Sequence, residues 1–115
     1  MKKNRYYYCS ECGNLIVATG CADISCCGRR LEALERQTPD DAHMLVLEPV
    51  EDEWYVTSAH PMERRHYITF AAFVTGDRVN LIKLYPEWEL QQRIPRRHGL
   101  LLWHCSRDGL FGKTI

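Results

Sequence analysis

The chain has 115 residues, near the modal size of one domain. Its 15 Lys and Arg residues balance its 15 Asp and Glu residues, so no long-range field draws it toward nucleic acid or an acidic membrane surface. Apolar content of 45% fits a folded globular protein, and no apolar stretch, residues 100–103 included, comes near the length of a membrane span. Met1-Lys2-Lys3-Asn4 leads into tyrosines and a cysteine rather than an apolar core, so no secretory signal is expected and the cytoplasm is the expected compartment. Thiols there stay reduced, and clustered cysteines read as metal ligands.

Residues 1–36 form a unit too short to bury a self-sufficient core, since chains below about 40 residues usually need a metal or disulfides. Residues 6–8 read as a strand running into Cys9-Ser10-Glu11-Cys12-Gly13, a metal knuckle, and residues 15–17 as a second strand. Thr19-Gly20 reads as a turn, Cys26-Cys27-Gly28 closes the unit at another, and Leu31 and Leu34 are expected to pack back on it. Residues 37–42, polar and containing Pro39, read as a linker. Beyond it come short strands at 44–47, 54–57, 67–74, 79–84 and 100–105, with a weaker one at 90–94. Thr75-Gly76-Asp77-Arg78 reads as a hairpin connection. The acidic run 51–53 and the basic run 93–97 read as solvated turns, and Trp54, Trp88 and Trp103 as core or rim residues. With no helical periodicity of any length, residues 43–115 are expected to form a small all-β sandwich.

Two donor clusters stand out. Cys9-x-x-Cys12 and the adjacent Cys26-Cys27 supply four thiolates from two loops, which suits tetrahedral zinc or a single iron. Because the second pair has no spacer, a strained local backbone is expected there. Cys21 is surplus and could stand in for one of the pair, and a vicinal Cys26–Cys27 disulfide is an alternative. The five histidines all follow this cluster. His60 and His66 flank a proline turn at a spacing that is not helical; His43 opens one predicted strand and Cys105 closes another. Three imidazoles and one thiolate at strand ends could therefore meet at one rim of the sandwich.

Read together, Cys-x-x-Cys, Cys-Cys-Gly, a histidine opening a strand, His60-Pro61-Met62-x-x-x-His66-Tyr67-Ile68 and a late Cys-x-x-x-Gly turn resemble the desulfoferrodoxin, or superoxide reductase, family over nearly the whole chain. The resemblance implies a desulforedoxin-like module whose Cys9, Cys12, Cys26 and Cys27 hold iron, with zinc the alternative. It also implies an immunoglobulin-like sandwich carrying a nonhaem iron that reduces superoxide to hydrogen peroxide. By matched position, His43, His60 and His66 are equatorial ligands and Cys105 the axial one. A rubredoxin-like donor or a reductase as electron source, and a homodimer, are implied in the same way.

Two departures qualify this. The family pattern Cys-Asn-x-His-Gly reads Cys105-Ser106-Arg107-Asp108-Gly109 here, so Asp108 takes the place of a fourth histidine. Asp108 is the first candidate replacement, ahead of a site with only the three histidines and Cys105. His104 ranks last because strand alternation points it away from the Cys105 face; His98 is a further alternative. Before His43 the family's Glu-Lys becomes Asp41-Ala42, which removes a cation, and Arg64, Arg65 or Arg107 are candidates to compensate. The competing readings are a non-catalytic iron electron carrier or redox sensor, and a zinc-stapled binding module.

Overall fold

The computed structural model describes residues 4–115, and the chain divides into two compact units, Met1–Glu35 and Arg36–Ile115. Among the described residues no α-helix occurs, and no helix is long and apolar enough to cross a membrane.

The first unit is two hairpins. β1 (Arg5–Tyr8) and β2 (Leu15–Ala18) pair antiparallel, with Tyr8 opposite Leu15. The loop between them is closed by Cys9 N–H to Asn14 O (2.9 Å) and Gly13 N–H to Cys9 O (2.7 Å). Gly13 takes φ 75°, open to glycine at no steric cost. β3 (Ile24–Cys26) and β4 (Arg29–Leu31) pair with Cys26 opposite Arg29, which leaves Cys27-Gly28 as a two-residue turn. Both turn residues have positive φ, 54° and 73°, as a hairpin turn matching the strand twist requires. The strain expected at the unspaced cysteine pair is thus located at Cys27. Leu31 and Leu34 are half-buried, and Leu34 N–H reaches Tyr6 O at 2.8 Å.

The second unit is a sandwich of unequal sheets. β5 (Arg36–Gln37), β6 (Leu45–Val50), β7 (Glu53–Ser58), β8 (Ile68–Thr75), β9 (Arg78–Lys83), β10 (Gln91–Pro95), β11 (Leu100–Cys105) and β12 (Gly109–Thr114) are its strands. One sheet runs β10-β7-β6 and the other β5-β12-β11-β8-β9, with every neighbour antiparallel except β5 and β12. Leu45, Val56 and Ile94 of the first sheet bury themselves against Ile68, Ala71, Phe73, Leu101, Trp103 and Phe111 of the second. These apolar side chains face inward at alternate positions along their strands, except for the break between Ile68 and Ala71, and so hold the two sheets face to face.

Several expectations change in detail. Gln37, expected in the linker, pairs with Phe111 in the sheet, and His43 sits on a 3-10 turn, Asp41–His43, rather than in a strand. β12 has no counterpart in the sequence reading. Trp103 is core and Trp54 packs on it, but Trp88 is 58% exposed with only its edge against Tyr85 (ring centroids 5.0 Å). The acidic and basic runs meet instead of merely facing water: Arg96 Nη1 donates to Glu51 O (3.1 Å) and stacks over Trp54, and Arg93 lies 3.7 Å from Glu53.

A bulge sets the phase of β8 against β11. Phe70 pairs with His104, yet Cys105 pairs with Ile68, so Thr69 is the extra residue. That bulge lets Ile68 and Cys105 both face the core while His104 lies on the other face, where its Nδ1 contacts Thr69 Oγ1 (2.6 Å) and its ring stacks on Phe70. Desolvation pushes the His104 pKa down to about 4. Between that value and the ordinary 6.5 the unfolded chain holds the extra proton, so stability falls as pH drops through this window. The expected loss is about 3 kcal/mol at most. Urea midpoints measured from pH 7 to pH 4 should fall less steeply in His104→Gln than in the unsubstituted protein; parallel curves would contradict this.

Candidate metal centres

In the first unit the sulfurs of Cys9, Cys12, Cys26 and Cys27 all lie within 4.8 Å of one another. Cys12 Sγ is 3.5 Å from Cys26 Sγ, which is 4.0 Å from Cys27 Sγ. A tetrahedral ion with bonds near 2.3 Å sets its sulfurs about 3.8 Å apart, so the quartet has the right size. All six cysteines are free, so the vicinal Cys26–Cys27 disulfide is not formed, and Cys21 is exposed outside the quartet, 3.9 Å from Arg5 Nη1. The knuckle polarises its sulfurs unequally. The backbone N–H of Cys12, helped by that of Glu11, holds the Cys9 thiol down at about 7. Cys27 is pushed up to about 12 by the neighbouring sulfurs of Cys12, Cys9 and Cys26. Four sulfur donors so close resist a second negative charge unless they share a cation.

In the second unit His43, His60, His66 and Cys105 bring one donor atom each within 4.8 Å of the others. Each is delivered by a separate local device. Asp40 caps the 3-10 turn of His43, and Trp103 Nε1 donates to His43 O (2.7 Å), tying that turn to the core. His60 follows β7 and donates its N–H to Ser58 Oγ (2.9 Å). The loop to His66 closes on paired Glu63–His66 backbone hydrogen bonds of 3.0 Å, and Ile68 N–H reaches Met62 Sδ (3.4 Å). Tyr67 N–H to Ser106 Oγ (3.1 Å) and Ser106 N–H to Tyr67 O (2.9 Å) then hold His66 beside the end of β11 and Cys105.

The imidazoles turn the same nitrogen inward. His60 Nδ1 faces Pro61 O at 2.7 Å, so Nδ1 carries the proton and Nε2 is a bare acceptor. His43 Nδ1 faces Asp40 Oδ1 at 2.6 Å and its Nε2 faces Asp108 Oδ2 at 2.9 Å. His60 Nε2 and His66 Nε2 are buried with no hydrogen-bond partner. Buried acceptors left this way cost about 1–3 kcal/mol each, which a cation at their common focus removes. Burial lowers the His60 pKa, keeping that ring neutral and able to ligate. Burial also raises the Cys105 pKa, opposed by the backbone N–H groups of Arg107 and Asp108 aimed at its sulfur. Both donor sets therefore fit a resident metal ion.

Asp108 enters this focus. Its Oδ2 lies 2.9 Å from His43 Nε2, 3.6 Å from His66 Nε2 and 3.7 Å from Cys105 Sγ. Burial acts to raise its pKa, but the His43 hydrogen bond, the His43 charge and Cys105 outweigh it and hold the carboxyl below the ordinary range. Gln37 Nε2 donates to Asp108 O (2.8 Å), and Gly109 turns the chain at φ 100° directly after it. His104 faces the opposite side of the sheet and His98 is exposed in the β10–β11 loop, so neither joins the cluster. Arg64, Arg65, Arg107, Asp41 and Ala42 are exposed. The contacts that Asp40, Gln37 and Trp103 make at this site escape the sequence reading; an Asp three residues before a histidine is an N-cap pattern that could have revealed the first.

No model of a known protein family matches the chain. Curated relatives do. The chain is 33% identical over 88 residues to a desulfoferrodoxin homolog of Archaeoglobus fulgidus, covering 70% of each. It is 30% identical over 120 residues to a desulfoferrodoxin of Syntrophotalea carbinolica, covering 96% of this chain and 95% of that one. Among solved structures, the superoxide reductase from Treponema pallidum superposes with a TM-score of 0.80, at 19% identity and over 98% of this chain and 99% of that one, a likeness of fold.

Proposed function

Since the chain belongs to the desulfoferrodoxin family, whose iron centres its three-histidine, one-cysteine and four-cysteine donor sets fit, we propose that it reduces superoxide to hydrogen peroxide at the sandwich centre. The observation that carries this reading is the focus of His43, His60, His66 and Cys105, with the buried Nε2 atoms of His60 and His66 left without a hydrogen bond. His43, His60 and His66 would hold the iron through Nε2 and Cys105 through Sγ, with Asp108 completing the set by a carboxylate oxygen. Iron supplies the one-electron change that, with two protons, converts superoxide to hydrogen peroxide.

The residues around it have separable tasks. Cys105, fully buried at the end of β11, keeps its sulfur away from water and supplies charge from the core side. The N–H groups of Arg107 and Asp108 temper that charge. His60 and His66, packed edge to face at 4.5 Å, keep neutral nitrogen on the focus. The four-cysteine centre, in its own unit, would store one electron as iron, or serve as a staple as zinc.

A second reading, a non-catalytic iron electron carrier or redox sensor, is favoured by Asp108 standing among the donors and by Ala42 where a cation would attract superoxide. Pulse radiolysis separates the two. With the reduced iron protein in substoichiometric amount and a reductant present, superoxide decay should be first order in protein and yield peroxide without dioxygen. Decay at the spontaneous rate would leave the carrier reading.

A further inference from the structure

We infer that Asp40, outside the donor set, is the positioning residue that fixes the tautomer of His43 and strengthens its Nε2 as a donor. This rests on the reading of His43, His60, His66 and Cys105 as an iron site. One carboxylate oxygen, Asp40 Oδ1, accepts from both the backbone N–H of His43 (3.0 Å) and its Nδ1–H (2.6 Å). The ring itself is only 6% exposed, stacked on Phe111 with centroids 4.3 Å apart, and its turn is pinned by Trp103. Phe111 sets the plane of the imidazole and Trp103 sets the height of the turn. Neither decides which nitrogen faces the focus, nor which nitrogen carries the proton. Asp40 decides both.

The second shell is also unequal. His60 Nδ1 rests on a neutral carbonyl, whereas His43 Nδ1 rests on a carboxylate. An anionic partner on the far nitrogen draws the ring toward imidazolate character and makes Nε2 more basic. His43 then faces carboxylates on both sides, Asp40 at Nδ1 and Asp108 at Nε2, and the 2.9 Å between Nε2 and Asp108 Oδ2 is a spacing that two adjacent ligands of one ion would also take. Asp40 thus tunes the centre from a side chain that is 65% exposed to water.

Asp40→Asn isolates this role from mere capping, because asparagine caps a turn as well as aspartate does but carries no charge. The full chain and its Asp40→Asn and Asp40→Ala variants would be titrated with cobalt(II), a redox-inert probe, against a chelator. The thiolate-to-cobalt bands report each centre. Asp40→Ala is expected to weaken cobalt binding at the histidine centre by about 10- to 100-fold, with the four-cysteine centre unchanged. Asp40→Asn should weaken it by several-fold, shift the Cys105 charge-transfer band, and leave the urea midpoint where it was. Asp40→Asn matching the unsubstituted chain in affinity and band position would overturn the inference, whatever Asp40→Ala does. An unsubstituted chain that takes up cobalt at the four cysteines alone would overturn the underlying iron-site reading instead.

Discussion

Withdrawing the ion from the four-cysteine centre, or replacing Cys9 with serine, is expected to unfold residues 4–35 and leave residues 36–115 folded. Among the described residues, the first unit fully buries only Tyr6, Tyr7 and Cys9, far too little apolar surface to offset the ordering of two hairpins. What closes it is the convergence of four sulfurs, two from the Cys9–Gly13 loop and two from the end of β3 and the turn after it. Binding to such a set contributes on the order of 10 kcal/mol, comparable with the whole stability of an ordinary domain. Cys9 is the most damaging position, being 1% exposed and already holding the amides of Cys12 and Glu11. Amide NMR after chelation should show the β1–β2 and β3–β4 resonances collapsing to random-coil positions while those of the sandwich stay dispersed. Persistence of the hairpins without metal would contradict the expectation.

Asp108→His should raise the reduction potential of the sandwich centre. A carboxylate among the donors stabilises the more positive oxidised ion, and exchanging it for a neutral imidazole removes one negative charge. Two unit charges about 4 Å apart interact by about 4 kcal/mol at an effective dielectric of 20, so the shift is on the order of 100 mV for a one-electron couple. Spectroelectrochemical titration of the Cys105 charge-transfer band measures it; an unchanged or lowered potential would place Asp108 outside the coordination set. The same variant should consume superoxide faster if the carboxylate is what slows the centre.

Six of the eight clustered side chains were legible because they lie in short motifs whose residue types carry their chemistry, Cys9-x-x-Cys12, Cys26-Cys27, and His60-Pro61-Met62 with His66, whereas His43 and Cys105 rested on strand ends and on the family resemblance. Alternation along β11 correctly set His104 on the face opposite Cys105, and the Thr69 bulge on the partner strand does not disturb that. What escaped depends on partners distant in sequence. Gly109-Leu110-Phe111-Gly112-Lys113-Thr114, with two glycines, carries little strand propensity and becomes β12 by pairing with β11. Residues 37–42 look like a spacer, being polar and interrupted by Pro39. Gln37 and Asp40 find their use only against Asp108 and the ring of His43. Trp88 differs in the opposite sense, a large aromatic assigned to the core or its rim by type alone that the fold leaves 58% exposed.

The donors of the sandwich centre are spread from the turn ahead of β6 to the end of β11, and no disulfide ties these stretches together. An ion held there acts as a removable cross-link, closing several chain loops at once and shrinking the freedom of the denatured ensemble. Its departure would slacken the rim from which those stretches emerge, so susceptibility to proteases at that edge reads out whether the metal is in place.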